Sequence, residues 1–187
     1  MQRRDINPGA FVIDDVLNAE ECAALIRRAE DQGFEVAPIT TAKGFKVDLE
    51  TRSNDRVIFD DVHLATLLWS RVRHAVPQIL AGRQAIGLNE RFRLYRYAPG
   101  QRFSWHSDGV FRRESGEMSL LTFMIYLNDG YSGGETRFED TKVVGRVGMA
   151  LVFHHGMVHE GAEVTEGRKY ALRSDVMYGG PVGTLGG

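Results

Sequence analysis

The sequence predicts a mainly β fold, a jelly roll with N-terminal helices packed on one sheet, and three observations carry that expectation. Short runs rich in aromatic and β-branched residues fill the second half of the chain: "RFRLYRY" (91–97), "MSLLTFMIYLN" (118–128), "ETRFE" (135–139), "GMALVFH" (148–154) and "KYALRSDVMY" (169–178). Pro-Gly, Gly-Gly and other glycine-bearing turns separate these runs. Helical periodicity is confined to the part of the chain before residue 80, so helices precede the β-rich region and cover one of its sheets.

In chain order, "FVIDDVL" (11–17) reads as a strand. Asn18 followed by Glu21 is a capping-box signal for a helix running to about Gln32, with Gly33 as its stop. "FEVAPI" (34–39) reads as a second strand, and residues 40–56 carry turn formers and charge without a period, as a mobile loop would. In "DDVHLATLLWSRVRHAVPQIL", Val62, Ala65, Leu68, Trp69 and Val72 recur at helical spacing, Asp60 and Asp61 favour the helix start, and Pro77 is expected to end or kink it.

At 187 residues the chain is long enough for one sizeable core, and we expect a single domain over residues 1–178 with a flexible C-terminal tail, "GGPVGTLGG", over 179–187. Charged residues make up 26% and the formal net charge is only -2, which argues against a surface dominated by nucleic-acid or anionic-membrane binding. No signal peptide or stretch of transmembrane length is visible. Cys22 is the only cysteine, which rules out an internal disulfide and a thiolate zinc site and makes a reducing cytoplasm the expected location.

The chemistry centres on "SWHSDG" (104–109). In extended chain, His106 and Asp108 point to one face with Cα atoms roughly 6–7 Å apart, and Phe103 and Trp105 point to the other. An imidazole and a carboxylate on one face can hold a cation together, although such a pair on a strand is more often a hydrogen-bonded surface pair. A third ligand is on offer in "FHHGMVHEG", as His154, His155 or His159. Two histidines and a carboxylate leave three octahedral positions open, which is the arrangement of non-haem Fe(II) oxygenases.

The ordered set "RLYRYAPGQRFSWHSDG", "SLLTFMIYLND", "SGGETRFED", "GMALVFHHGMVHEG" and "EGRKYALRSDVMY" resembles the Fe(II)/2-oxoglutarate-dependent dioxygenases of the prolyl 4-hydroxylase type. The likeness covers roughly residues 90–178 and reaches more weakly into "VIDDVLNAEECAALIRRAE". His159 follows His106 by 53 residues and Lys169 follows His159 by ten, spacings typical of that type. The resemblance implies a double-stranded β-helix with His106, Asp108 and His159 as iron ligands, leaving His154 and His155 as hydrogen-bonded structural histidines. It also implies Fe(II), 2-oxoglutarate and O2 as cofactor and cosubstrates, ascorbate as an accessory reductant, and hydroxylation of an unactivated C–H bond.

The far carboxylate of 2-oxoglutarate needs a fixed cation. The resemblance implies Lys169; the adjacent Arg168 has the charge for this role as well. Strand parity puts Lys169, Ala171, Arg173 and Asp175 on one polar face and Tyr170, Leu172, Val176 and Tyr178 on the other, which turns Lys169 inward. Arg173 is expected to bind substrate, brace a carboxylate or face solvent. Tyr97 and Tyr126 match family tyrosines that hydrogen-bond the cosubstrate, and Met124, of the same parity as Tyr126, is expected to wall the pocket.

Loops 40–56 and 109–117 are the expected substrate cover, and Arg52, Arg56, Arg112 and Arg113 are available to select an acidic or peptide-carboxylate substrate. The substrate implied is a peptidyl proline or another amino-acid side chain in a peptide or protein, with free amino acids and small metabolites as the alternative. A demethylase of nucleic acids would show two arginines six apart, whereas Arg168 and Arg173 are five apart. A cupin-like metal-binding or sensing module, without turnover, would favour His-x-His with a glutamate over "HSD".

Overall fold

The computed structural model describes residues 1–41 and 44–181. Its elements in chain order are β1 (Arg3–Asn7), β2 (Ala10–Ile13), α1 (Ala19–Gln32), β3 (Glu35–Val36), β4 (Ile39–Thr41), β5 (Gly44–Lys46), β6 (Asp55–Asp60), α2 (Val62–Val72), β7 (Ile79–Leu80) and β8 (Arg83–Leu88). The β-rich region follows with β9 (Arg91–Tyr97), β10 (Phe103–His106), β11 (Met118–Tyr126), β12 (Ser132–Gly133), β13 (Thr136–Phe138), β14 (Lys142–Val143), β15 (Ala150–His154), β16 (His159–Gly161), β17 (Val164–Glu166) and β18 (Lys169–Pro181).

The large sheet runs β1-β2-β15-β11-β18-β9-β6-β3, with β7 and β8 branching from β18, and the small sheet runs β10-β16-β13-β14. Alternation along the central strands sorts side chains between two cores. Phe123, Ile125, Val152 and Leu172 point outward and pack with Leu25 and Ala29 of α1 and Leu68 and Val72 of α2. Val12, Tyr126, Leu151 and Phe153 point inward, where they meet Phe138 and Val143 of the small sheet. The two sheets therefore close on each other as a jelly roll, and the helices cover the large sheet's outer face, as the sequence predicts.

Helix α1 begins with the expected capping box: the Glu21 N–H donates to Asn18 Oδ1 at 2.8 Å, and the Asn18 N–H donates to a Glu21 carboxylate oxygen at 2.9 Å. Gly33 takes φ +81° and its N–H donates to Ala29 and Glu30 carbonyls, stopping the helix where expected. Asp61 caps α2, whereas Asp60 belongs to β6. Helix α2 ends at Val72 rather than at Pro77, because the chain tightens there into a turn in which the Ala75 N–H donates to the Val72 carbonyl.

Other expectations are corrected at element boundaries. The strand begun at Ala10 stops at Ile13, and the N–H groups of Val16 and Leu17 then donate to the Gly148 carbonyl at 2.9 and 3.3 Å. Position 148 must be glycine, since its φ is +74° and a Cβ there would lie 1.9 Å from the Leu17 carbonyl oxygen. Strand β1 was not expected, because an edge strand of Arg3, Arg4 and Asp5 has no apolar alternation. Gly179–Pro181 are not tail: they continue β18, with Pro181 opposite Arg83. The remaining tail, 182–187, lies outside the described residues.

The expected mobile loop at 40–56 is in good part tied down. β4 pairs with β5, and Arg52 bridges Phe103, with the Ser53 N–H donating to Arg102 O and the Ser104 N–H to Thr51 O. Residues 42 and 43 of that stretch lie outside the described residues.

Candidate metal centre and cosubstrate pocket

β10 and β16 are neighbours in the small sheet, and their register sets His106 directly opposite His159. Phe103 pairs with Gly161, so the register slips by one residue between the two pairs. That slip overturns the strict alternation expected from sequence: Phe103 turns to the same side as His106 and stacks on its ring, centroids 3.5 Å apart, while Trp105 is exposed. Asp108 lies just past the strand end rather than in it, fixed by donation of its N–H to the His155 carbonyl at 2.9 Å.

The ligand atoms of His106, Asp108 and His159 lie within 4.8 Å of one another. Each imidazole donates Nδ1–H to a backbone carbonyl, His106 to Ser104 at 2.7 Å and His159 to Met157 at 3.0 Å. With Nδ1 protonated, the Nε2 lone pair is left free, and both Nε2 atoms face the carboxylate, at 3.9 Å from Asp108 Oδ1 and 3.8 Å from Oδ2. Burial, reinforced by His159, pushes His106 down to about 4, and burial lowers His159 as well, so both are neutral near pH 7. Burial alone would raise the Asp108 carboxyl, but Arg173, His159 and the Thr122 hydroxyl hold it well below the usual range. Two neutral imidazoles and one carboxylate with adjacent open space fit a six-coordinate Fe(II).

A polar chain fixes the carboxylate from behind. Thr122 Oγ1 donates to Asp108 Oδ2 and lies 3.0 Å from His155 Nδ1; His155 Nε2 lies 2.8 Å from Ser119 Oγ, which accepts the Phe111 N–H at 2.9 Å. One proton assignment satisfies every member: His155 donates from Nδ1 to Thr122 and accepts at Nε2 from Ser119. His155 is thus a buried structural histidine, as expected, and it links the 109–117 loop to Asp108. On the other side Arg173 Nη2 pairs with Asp108 Oδ1 at 3.1 Å and with Asp175 Oδ1 at 3.2 Å, so it braces the carboxylate and does not face solvent.

The triad opens onto a narrow recess, with about 40 Å³ of accessible space, walled by Phe103, Met124, Phe153, Tyr95, Tyr97 and Lys169. Lys169 is 2% exposed, and its Nζ donates to the Gly134 carbonyl at 2.6 Å between the rings of Tyr97 and Tyr126. Burial pulls its ammonium down to about 8. With no carboxylate in ion-pair contact among the described residues, Lys169 has donors left for an incoming one, which fits the distal carboxylate of 2-oxoglutarate. Gly134 has φ +67°, and a Cβ there would press 2.9 Å from Val164 Cγ2 and 3.2 Å from Lys169 Cδ.

Tyr97 lies directly across from Lys169 and lines the recess. Tyr126 is fully buried behind it, its hydroxyl 2.8 Å from Thr136 Oγ1. Arg168 is exposed, and its charge is felt at Glu30 and Tyr170, on the helix-covered side. His154 lies instead on a larger groove of about 500 Å³ with Arg3, Pro8 and Pro77, away from the triad. Tyr95, Phe103, Thr136 and Phe153 line the pocket as well: Tyr95 shares the face of Tyr97 by strand alternation, a signal the sequence carried, whereas only the register slip and the sheet-to-sheet packing bring Phe103, Thr136 and Phe153 to the triad.

The sequence profile of the 2OG-Fe(II) oxygenase superfamily matches residues 92–174, which include the triad and Lys169. The chain carries a 2OG-Fe(II) oxygenase domain, and prolyl 4-hydroxylases are among its homologues. Prolyl 4-hydroxylase 1 of Arabidopsis thaliana is 29% identical over 145 residues, 71% of this chain and 47% of that protein, so the chain spans about half the length of this relative. The same fold occurs in a Pseudomonas putida prolyl-4-hydroxylase, with TM-score 0.67 and 21% identity over 90% of this chain and 92% of that one. It occurs also in a collagen prolyl hydroxylase of Paramecium Bursaria Chlorella virus-1 solved with 2-oxoglutarate, with TM-score 0.64 and 21% identity over 91% and 95%.

Proposed function

We propose that this protein is an Fe(II)- and 2-oxoglutarate-dependent dioxygenase that hydroxylates an unactivated C–H bond of a proline or another amino-acid side chain. The observation that carries the reading is the convergence of His106, Asp108 and His159 at one wall of a recess whose far end holds the buried cation of Lys169. Iron, when bound, supplies the redox chemistry that couples oxidative decarboxylation of 2-oxoglutarate by O2 to hydroxylation. The chain's own residues bind, orient and exclude water. His106 and His159 offer Nε2, and Asp108, steadied by Arg173 and Thr122, offers its carboxylate. Lys169 receives the distal carboxylate with Tyr97 beside it, and Phe103, Met124 and Phe153 keep the walls apolar.

The prolyl 4-hydroxylases among the relatives support a peptide or protein substrate. Among the described residues no helix is long and apolar enough to cross a membrane, and the unpaired, buried Cys22 is in keeping with a reducing cytoplasm. The test is an anaerobic titration of the metal-free protein with Fe(II) and then 2-oxoglutarate, monitoring the visible charge-transfer absorption of a chelated cosubstrate. Appearance of the band, its loss in His159→Ala, and succinate release stimulated by proline-containing peptides are the expected results. A chain that binds metal but gives no band would be a metal-binding module instead.

A further inference from the structure

Six buried side-chain polar atoms lack a hydrogen-bond partner among the described residues, and three of them are guanidinium nitrogens: Arg52 Nη2, Arg93 Nη1 and Arg173 Nε. Buried donors are almost always paired, so a concentration of three in one region calls for a cause. These three arginines surround one side chain. Arg52 lies over the rings of Tyr95 and Phe103, at 4.7 and 4.3 Å, and both rings line the recess. Arg93 is two residues from Tyr95 on the same face of β9, a quarter exposed and with Nη1 3.9 Å from Asp175 Oδ2, and Arg173 is directly across from Arg93 on β18.

Of the four arginines that the sequence offers for anion recognition, only Arg52 is both buried and without a carboxylate partner among the described residues; Arg112 is exposed. Arg56 is paired with Glu35, Arg113 with Glu90 and Glu117, and Arg112 lies against the Met118 sulfur. Arg52 is 6% exposed, yet its polar partners are neutral oxygens: Asn54 Oδ1 at 2.8 Å, the Pro38 carbonyl at 3.4 Å and, beside its ring contact, the Tyr95 hydroxyl. A buried guanidinium without a counter-charge is costly, and ring contacts offset only part of that cost.

The charge balance agrees. Arg52, Arg93, Lys169 and Arg173 face Asp108 and Asp175, an excess of two positive charges; Glu135, the acid nearest Lys169, is paired with Arg137 and Lys142. A divalent metal and a doubly anionic cosubstrate cancel each other, so the excess survives loading of the site. At Tyr95 the hydroxyl is buried, which by itself raises it, yet the charges of Arg52, Arg173 and Arg93 bring it below its usual value. The potential beside the triad is therefore positive.

The geometry points to a carboxylate-bearing substrate, whose anionic group is received by Arg52 and Arg93 beside Tyr95 while its target C–H bond faces the metal triad. This substrate class rests on the dioxygenase reading and narrows it. Arg173, already holding Asp108 and Asp175, acts as a positioning residue between the two subsites. The carboxylate has two chemical sources, the α-carboxylate of a free amino acid or chain end and the side chain of an acidic residue next to the target in a peptide.

The test uses the whole chain loaded with Mn(II), a non-turnover substitute, and 2-oxoglutarate, with binding followed by calorimetry. The probes are N-acetyl-L-proline against N-acetyl-L-prolinamide, L-proline against L-prolinamide, and two end-blocked hexapeptides that differ only in Glu or Gln beside proline. At least one acid is expected to bind about 30-fold more tightly than its neutral partner, the scale of a charge-assisted contact. The pair that shows the preference identifies the source of the carboxylate. Arg52→Gln should bring acid and neutral partner to within about threefold of each other, and Arg93→Gln, at a less buried position, should reduce the preference about three- to tenfold.

Equal binding within every pair, or no binding by any acid, would overturn the assignment, as would an Arg52→Gln variant that loses 2-oxoglutarate affinity while keeping the acid preference. Failure of the Mn(II) protein to bind 2-oxoglutarate at all would instead remove the dioxygenase reading on which the substrate class rests.

Discussion

Replacing Lys169 by Met tests the cosubstrate pocket, because the two side chains are close in length and Met keeps the packing between Tyr97 and Tyr126 while removing the charge. Burial displaces the Lys169 ammonium from 10.5 to about 8, a native-state cost of order 3 kcal/mol at neutral pH. Met relieves that cost, and it gives up the hydrogen bond to Gly134, which contributes about 1 kcal/mol. The metal-free variant is therefore expected to be more stable than its parent by about 1–2 kcal/mol in urea unfolding at pH 7.

Cosubstrate affinity moves the other way. Loss of one partner from a buried charge pair costs about 2–5 kcal/mol, a rise in the dissociation constant of about 30-fold or more. The assay is the anaerobic Fe(II)/2-oxoglutarate titration. An affinity within about threefold of the parent, or a larger loss from Arg168→Gln than from Lys169→Met, would refute the reasoning. The pH dependence carries the same sign: because the protonated amine binds, affinity should be level below about pH 8 and fall about tenfold per unit above it. The folded-state value lies below the unfolded one, so the cost of the buried charge is full below about pH 8, shrinks as pH rises from there, and is gone by 10.5.

Thr122→Val removes the donor to Asp108 and leaves His155 Nδ1–H unmet; Fe(II) affinity should fall about 10- to 100-fold by competitive chelator titration, with Thr122→Ser restoring it. Leu68→Ala, at a fully buried position where α2 meets the large sheet, should cost about 2–5 kcal/mol in urea unfolding and leave cosubstrate affinity intact. Asn18→Ala removes the α1 cap and should cost about 1 kcal/mol; combined with Glu21→Ala the loss should be less than additive, since each side chain serves the other's backbone N–H.

Local periodicity and chemistry were legible where a short window of residues decides them. Asn18, Glu21 and Gly33 announce both ends of α1, and the alternation in "KYALRSDVMY" places Lys169, Ala171 and Arg173 on the pocket face and Tyr170 and Leu172 in the outer core. The spacing of His106, Asp108, His159 and Lys169 carried the resemblance to the dioxygenases. Ends set by long-range contacts were not legible. The turn after Ile13 depends on Gly148, more than 130 residues away, and β18 extends past Tyr178 because Arg83 offers it a partner.

The sequence by itself determined the jelly-roll class, the covering helices and the inward lysine, because strand parity and capping are local properties of the chain; its resemblance to the dioxygenases singled out His106, Asp108 and His159, whose ligand atoms the fold brings within 4.8 Å of one another. Only the tertiary structure decided what surrounds them. The one-residue slip between β10 and β16 turns Phe103 onto His106, and the Arg52 bridge to Phe103 packs part of an expected mobile loop behind that pocket residue. The packing of β9 against β18 gathers Arg93, Arg173 and Tyr95 beside the triad. Arg52, Arg56, Arg112 and Arg113 are equivalent as letters. Burial and the presence or absence of a carboxylate partner separate them, and those are properties of the folded neighbourhood, where desolvation and Coulomb attraction act on residues far apart in the chain.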